Sequence, residues 1–154
     1  MYGGSNTNPL CSGFCGTVFK INLRGALKTV YNFCSQPNCA DGAGPGFSLV
    51  QASDGNFYGS TIGADGGNSL YGITLFRLTP GGKLTALHTF QQVFQEPEAL
   101  VQAGNAPRST EAFYGVTLEG GQYNNCGGLY CGTLFRLAVS EDEMNQIFDK
   151  TGQP

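Results

Sequence analysis

Short runs rich in Val, Thr, Phe and Tyr punctuate this chain, each about five to seven residues long and bounded by Gly, Pro, Asn or Asp. The clearest are GTVFKI (16–21), LKTVYNF (27–33), FYGST (57–61), GITLFRL (72–78), LTALHTF (84–90) and GTLFRL (132–137). Branched and aromatic side chains suit a pleated, half-buried surface, so each run predicts a β-strand. INLRGAL (21–27) and RLTPGGKL (77–84) put a turn between consecutive runs and predict hairpins. The Asp-Gly pair of ASDGNFYG (52–59) predicts a further turn. One segment is ambiguous. SEDEMNQIF (140–148) carries a Ser-x-x-Glu capping box with Met144, Ile147 and Phe148 at helical spacing, whereas its place in the pattern favours a strand.

The runs recur in a fixed order. MYGGS (1–5), FYGST (57–61) and FYGVT (113–117) set Tyr2, Tyr58 and Tyr114 at a spacing of 56 residues both times. GTVFKI, GITLFRL and GTLFRL follow as a second block. LKTVYNF, LTALHTF and, more weakly, MNQIFDK (144–150) form a third. SLVQAS (48–53) and ALVQAG (99–104) are a fourth, missing from the last unit. Residues 1–154 therefore read as one repeat domain of units 1–56, 57–112 and 113–154, the last truncated. Four strands in roughly 50 residues is the size of a propeller blade. The predicted fold is all-β, a β-propeller-like array of about three four-stranded antiparallel blades. A lone blade cannot bury both faces, so stacking is what stabilises it. At this period the chain supplies about 2.75 blades, while closed propellers have about four to eight. So short an array leaves an apolar face and strand edges open. The expected partner is a second copy, in a homo-oligomer or filament, or neighbouring repeats of a longer chain.

Composition narrows the class further. Charged residues are only 12% of the chain and 24 residues are glycine, at turn-like GG, DG and PGG sites rather than in a collagen register. With 11 Phe, 7 Tyr and a net charge of −3, the chain is too aromatic and too weakly charged for a disordered segment. The 8 Lys and Arg are scattered singly, which argues against nucleic acid as a partner. No apolar run has the length of a membrane span. Polar YGGSNTN directly after Met1 does not read as a secretory leader, so a removed leader or a longer parent chain is expected.

The blocks GTVFKI…GALKTVYNF (16–33), CSQPNCADGAGP…LVQASDGNFYGST (34–61) and GITLFRLTPGGKLTALHTF (72–90) resemble the Gloeo/Verruco (GloVer) tandem repeat of bacterial surface and secreted proteins. The resemblance covers nearly the whole chain and is best over 16–90. It departs in VFQEPEALVQAGNAPRSTEAFYG (93–115), where a longer insertion replaces the Asp-Gly-Asn turn, and again after Ala138. It implies an extracellular or cell-surface location and propeller-like blades. It implies no catalytic activity and no functional residues.

Six cysteines fall into local pairs, Cys11/Cys15, Cys34/Cys39 and Cys126/Cys131. Zinc is one reading, because Cys11-x₃-Cys15…Cys34-x₄-Cys39 approaches a zinc-ribbon spacing and a meander would bring those loops to the same end. Against it, the third unit keeps only one pair and the second keeps none, with Leu70 and Tyr71 in the corresponding places. A feature that can be dropped without loss of the strand reads better as a loop disulfide. The even count suits an oxidising compartment. Zinc and free thiols stay open as alternatives. A redox Cys-x-x-Cys centre does not fit the spacing.

Catalytic chemistry finds little footing. His88 is the only histidine and aligns with Tyr31 and Phe148, an aromatic strand position that suits packing. Among the acids Asp41, Asp54, Asp65, Glu96, Glu98 and Glu119, Asp41 and Asp54 precede glycine and read as turn formers. Glu96 and Glu98 flank Pro97 in the insertion. GADGGNS (63–69) and GGQYNNCGG (120–128) lack the lysine of a phosphate loop and the pattern of a calcium loop. No catalytic, cofactor or metal residue is assigned. The loop between the first two blocks carries Phe14, Tyr71 and Tyr130, a candidate aromatic binding surface for a glycan or protein. The expected function is a secreted or cell-surface structural or interaction module acting through assembly. A carbohydrate- or protein-binding propeller segment is the alternative, and a polysaccharide-active enzyme is a more distant one.

Overall fold

Hairpins build this molecule. The computed structural model describes residues 7–8, 11, 13–61, 73–90, 97–103, 110–117, 131–140 and 146–149, and these are all-β, without an α-helix. A small ladder joins β1 (Thr7–Asn8) to β2 (Gly13–Phe14). The first sheet is the hairpin β3 (Thr17–Ile21) and β4 (Leu27–Asn32). The second is an antiparallel meander of β5 (Pro45–Gln51), β6 (Phe57–Thr61), β7 (Ile73–Leu78) and β8 (Leu84–Phe90). The third repeats it with β9 (Pro97–Gln102), β10 (Thr110–Thr117), β11 (Thr133–Ser140) and β12 (Gln146–Asp149).

One turn closes three of these hairpins. In β3–β4, Asn22 N–H donates to the Ala26 carbonyl at 3.0 Å and Gly25 N–H to the Asn22 carbonyl at 2.9 Å. Thr79–Lys83 with Gly82–Thr79, and Ala52–Asn56 with Gly55–Ala52, repeat that pattern. The glycine sits at positive φ each time, 80° at Gly25, 83° at Gly55 and 92° at Gly82. This is the three-residue loop that ends in a left-handed residue, which glycine adopts without a steric penalty. The two hairpins and the Asp-Gly turn expected from sequence are therefore present.

Sheet boundaries and the sequence period differ in phase. The fourth-block strand β5 pairs with the tyrosine strand β6 that follows it, Val50 opposite Tyr58, and β9 pairs with β10 in the same way, Val101 opposite Tyr114. Each four-stranded sheet thus runs from a fourth block through the next unit's first three. The ambiguous segment contributes a strand at Gln146–Asp149. Its register lies three residues later than the repeat alignment, because Ile147 rather than Met144 takes the place of Leu84. Ile147 pairs with Leu137, whereas Leu84 pairs with the equivalent Leu78.

Two cores lie between consecutive sheets. Residues directly opposite one another in a ladder share a face, so register assigns the faces. Phe76, Leu78 and Leu84 of the second sheet are buried with Val18 of the first and with Phe33, Ala43 and four cysteines. The opposite face of the second sheet, with Tyr58, Ile73, Leu75 and Phe90, is buried with Leu100, Phe113, Phe135, Leu137 and Val139 of the third. Phe113 lies against Tyr58 with ring centroids 4.3 Å apart. Every described residue of β7 except Arg77 is buried, the signature of a strand covered on both sides. In β10, by contrast, Phe113, Gly115 and Thr117 are buried while Tyr114 and Val116 are exposed. Gly115 is required there, since a Cβ would run into the Phe135 ring.

Candidate functional site

The crossing from the first sheet to the second is the most heavily braced of the described segments. Residues 33–44 carry it, and Cys34, Asn38 and Cys39 all adopt left-handed φ, between 51° and 56°. Such φ values are uncommon for residues with a Cβ and need surrounding structure to hold them. Cys34 is disulfide-bonded to Cys39 with Cα atoms 4.1 Å apart, and Cys11 to Cys15 with Cα atoms 5.0 Å apart. Asp41, fully buried, supplies the second brace. Its Oδ2 accepts from the Tyr31 hydroxyl at 2.7 Å and from the Ser35 amide and hydroxyl at 2.9 Å each. Its Oδ1 accepts from the Gln36 amide at 3.2 Å. A buried carboxylate is tolerated only when its lone pairs are met in this way. Burial, with Asp41 adding to it and the Ser35 hydrogen bond opposing, pushes the Tyr31 hydroxyl up to about 12.

The cysteine sulfurs of the two loops do meet. One sulfur each from Cys11, Cys34 and Cys39 lies within 4.8 Å of the others, all buried. Three of the four sulfurs that the zinc reading needs therefore converge, but all four are joined as two disulfides and zinc binds thiolates. In this oxidised form the cluster is a wall of the first core rather than a metal centre. Cys131 is disulfide-bonded as well. Cys126, expected to pair with it, lies outside the described residues.

The other sequence candidates separate. Phe14 sits in β2 opposite Thr7. Tyr71 and Tyr130 lie outside the described residues, as do Asp65, Glu96 and Glu119, so the aromatic loop surface is not placed. Glu98 falls in β9. Asp54 caps its own turn, accepting from the Asn56 amide at 2.8 Å and the Tyr58 hydroxyl at 2.9 Å. Asp41 precedes glycine in a turn, but its larger role is the buried node above, which one sequence without its fold does not reveal. His88 pairs opposite Leu75 as Tyr31 does opposite Val18, and its ring meets Phe90 edge-on at 4.8 Å. Burial pushes its pKa below the ordinary histidine value. Phe148 is not its counterpart, since it pairs with Arg136.

A groove of about 250 Å³ is lined by Thr17, Val18 and Phe19 of β3 and by Pro45, Leu49, Ser60 and Phe76 of the second sheet. Its described lining offers two hydroxyls, from Thr17 and Ser60, and no titratable group. Large apolar side chains are exposed on two surfaces. Phe19, Ile21 and Leu27 cover the outer face of the first sheet, and Val101, Tyr114, Val116 and Leu134 that of the third. Monomeric soluble proteins seldom gather apolar residues this way without a partner. The chain matches no family model, no curated protein and no solved structure.

Proposed function

We propose that this chain is a structural or interaction module of the cell surface or extracellular space, built of propeller-like sheets and acting by assembly. One observation carries the reading: the outer faces of the first and third sheets are apolar and open, although the second sheet, between them, buries the same repeat positions almost completely. A surface of that kind is stable in water only when another sheet covers it. The disulfides favour an oxidising compartment. The GloVer-like sequence blocks favour the same location. Among the described residues no helix is long and apolar enough to cross a membrane. Asp41 and Asp54 are engaged in hydrogen bonds that hold loops, and His88 packs against Phe90, which favours a module without catalysis.

Sedimentation velocity across a concentration series tests the proposal. Assembly gives a species heavier than the 16.3 kDa chain that dissociates on dilution. A well-folded monomer at every concentration defeats it.

A further inference from the structure

Both internal interfaces obey one rule. The Val18 face of the first sheet covers Phe76, Leu78 and Leu84 of the second. The equivalent Leu75 face of the second, with Tyr58, covers Phe135 and Leu137 of the third, which are the equivalents of Phe76 and Leu78. The second and third sheets therefore present a tyrosine-leucine face forward and a phenylalanine-leucine face backward, and the first presents Val18 forward with Phe19 and Ile21 backward.

At the two ends the same positions stand open. Tyr58 is 1% exposed and Leu75 1%, but their third-sheet counterparts Tyr114 and Leu134 are 44% and 53% exposed. Phe76 and Leu78 are 1% and 0% exposed, but their first-sheet counterparts Phe19 and Ile21 are 54% and 63% exposed. The chain thus ends in one unused forward face and one unused backward face, the two halves of the interface it already makes twice. Among the described side chains, charge does not oppose their meeting. Phe19, Ile21, Leu27 and the flanking Thr17 and Thr29 carry none. The forward face has Arg136 at the position of Arg77, whose Nε is buried in the second sheet.

We propose that the forward face of the third sheet seats on the backward face of the first sheet of a second copy of this chain, in a head-to-tail contact. The inference rests on the assembly reading above and specifies its partner and geometry. Contacts of this type close into a ring or run on as a filament. Two copies joined both ways bring together four four-stranded sheets and two β3–β4 hairpins, six layers, within the range of about four to eight blades that closes. The expected species is therefore a dimer.

Two exposed substitutions, Leu134→Glu on the forward face and Ile21→Glu on the backward face, test the contact. Circular dichroism and thermal melts establish that each variant is folded. Sedimentation then reads the mass of each alone and of the two mixed in equal amounts. Each variant alone is expected to be monomeric. The mixture is expected to recover a dimer, because each variant retains the face that the other lacks. A wild-type chain that assembles while either variant still assembles alone overturns the head-to-tail contact and leaves the assembly reading standing. A mixture that stays monomeric overturns the contact in the same way. A monomeric wild type overturns both. Wild-type polymers longer than a dimer, abolished by both variants, support the contact and overturn its closure into a two-chain ring.

Discussion

Leu75 and Leu134 occupy the same repeat position, and truncating each to alanine separates what the sequence encodes from what neighbouring sheets supply. Leu75 is buried between the second and third sheets with Tyr58, Phe135 and Leu137. Removing a leucine side chain from such a site costs about 2.7–5 kcal/mol, transfer energy plus the cavity left behind. For Leu75→Ala a loss of about 3 kcal/mol is expected, which lowers the melting temperature of a chain this size by about 6–12 °C. Leu134 already has about half its surface in water. Its truncation forfeits at most about half of the ~2 kcal/mol that full burial of a leucine supplies and opens no cavity. A loss of about 1 kcal/mol or less is expected for Leu134→Ala in the dissociated chain.

Denaturant unfolding at low protein concentration measures both. The chain lacks tryptophan, so tyrosine fluorescence is the probe, and Tyr58 against Phe113 reports directly on the second interface. Equal losses for the two variants at the lowest concentration would refute the reasoning, since Leu134 would then be covered within its own chain. The concentration dependence adds a second check. If copies stack as argued above, the cost of Leu134→Ala rises toward that of Leu75→Ala as protein concentration increases, while the cost of Leu75→Ala stays constant.

Three further outcomes are expected. Asp41→Asn turns an amide nitrogen toward groups that themselves donate, the Gln36 amide or the Tyr31 and Ser35 hydroxyls, and calorimetry should show a loss of about 2 kcal/mol despite the near-identical shape. Tyr31 keeps its proton up to about 12 when folded, whereas the unfolded chain releases it near 10. The stability tied to that proton is complete below about pH 10 and is lost as pH rises from there through about 12, and a Tyr31→Phe variant should flatten that part of a stability-versus-pH curve. Replacing Cys34 and Cys39 together by alanine opens a loop of only a few residues, so a loss of about 2 kcal/mol in denaturant unfolding is expected, smaller than for a long-range bridge.

Much of the architecture was legible because its determinants are local. RLTPGGKL places glycine where the turn needs a left-handed residue, and Gly25, Gly55 and Gly82 all adopt it. The phase of the sheets was not legible, because a period fixes the spacing of blocks and says nothing of where one sheet stops. That boundary is set at residues 33–44, where the chain leaves β4 and enters the next sheet at Pro45. There Gly16 is pressed so closely on Pro45 that a Cβ would collide with it. Cys34–Cys39 and Asp41 hold this crossing. Asp41 looked like an ordinary turn residue because its partners Tyr31, Ser35 and Gln36 converge only once the loop has folded back. The late register of β12 went unseen for a related reason. MNQIFDK matches the repeat weakly, so the ladder to β11, rather than any sequence signal, decides which residue pairs with Leu137.

The unit count predicts an apolar face left open, and the structure assigns that opening to particular residues that the regular motif does not distinguish. Phe19 and Phe76, or Leu75 and Leu134, are written into the same motif and carry the same preference for burial. Their exposure differs only because one member of each pair has a sheet beside it. A repeat sequence specifies the interface, and the number of units decides how many interfaces the chain can satisfy alone. Three sheets make two interfaces and leave two half-interfaces of opposite kind. Because those halves differ, two copies presenting the same face to each other would bury apolar surface without the tyrosine-leucine against phenylalanine-leucine match that Tyr58 and Leu75 make with Phe135 and Leu137. Rotational pairing of like faces would leave the complementary rule unused at both ends, whereas head-to-tail pairing reuses a contact that this chain already makes twice.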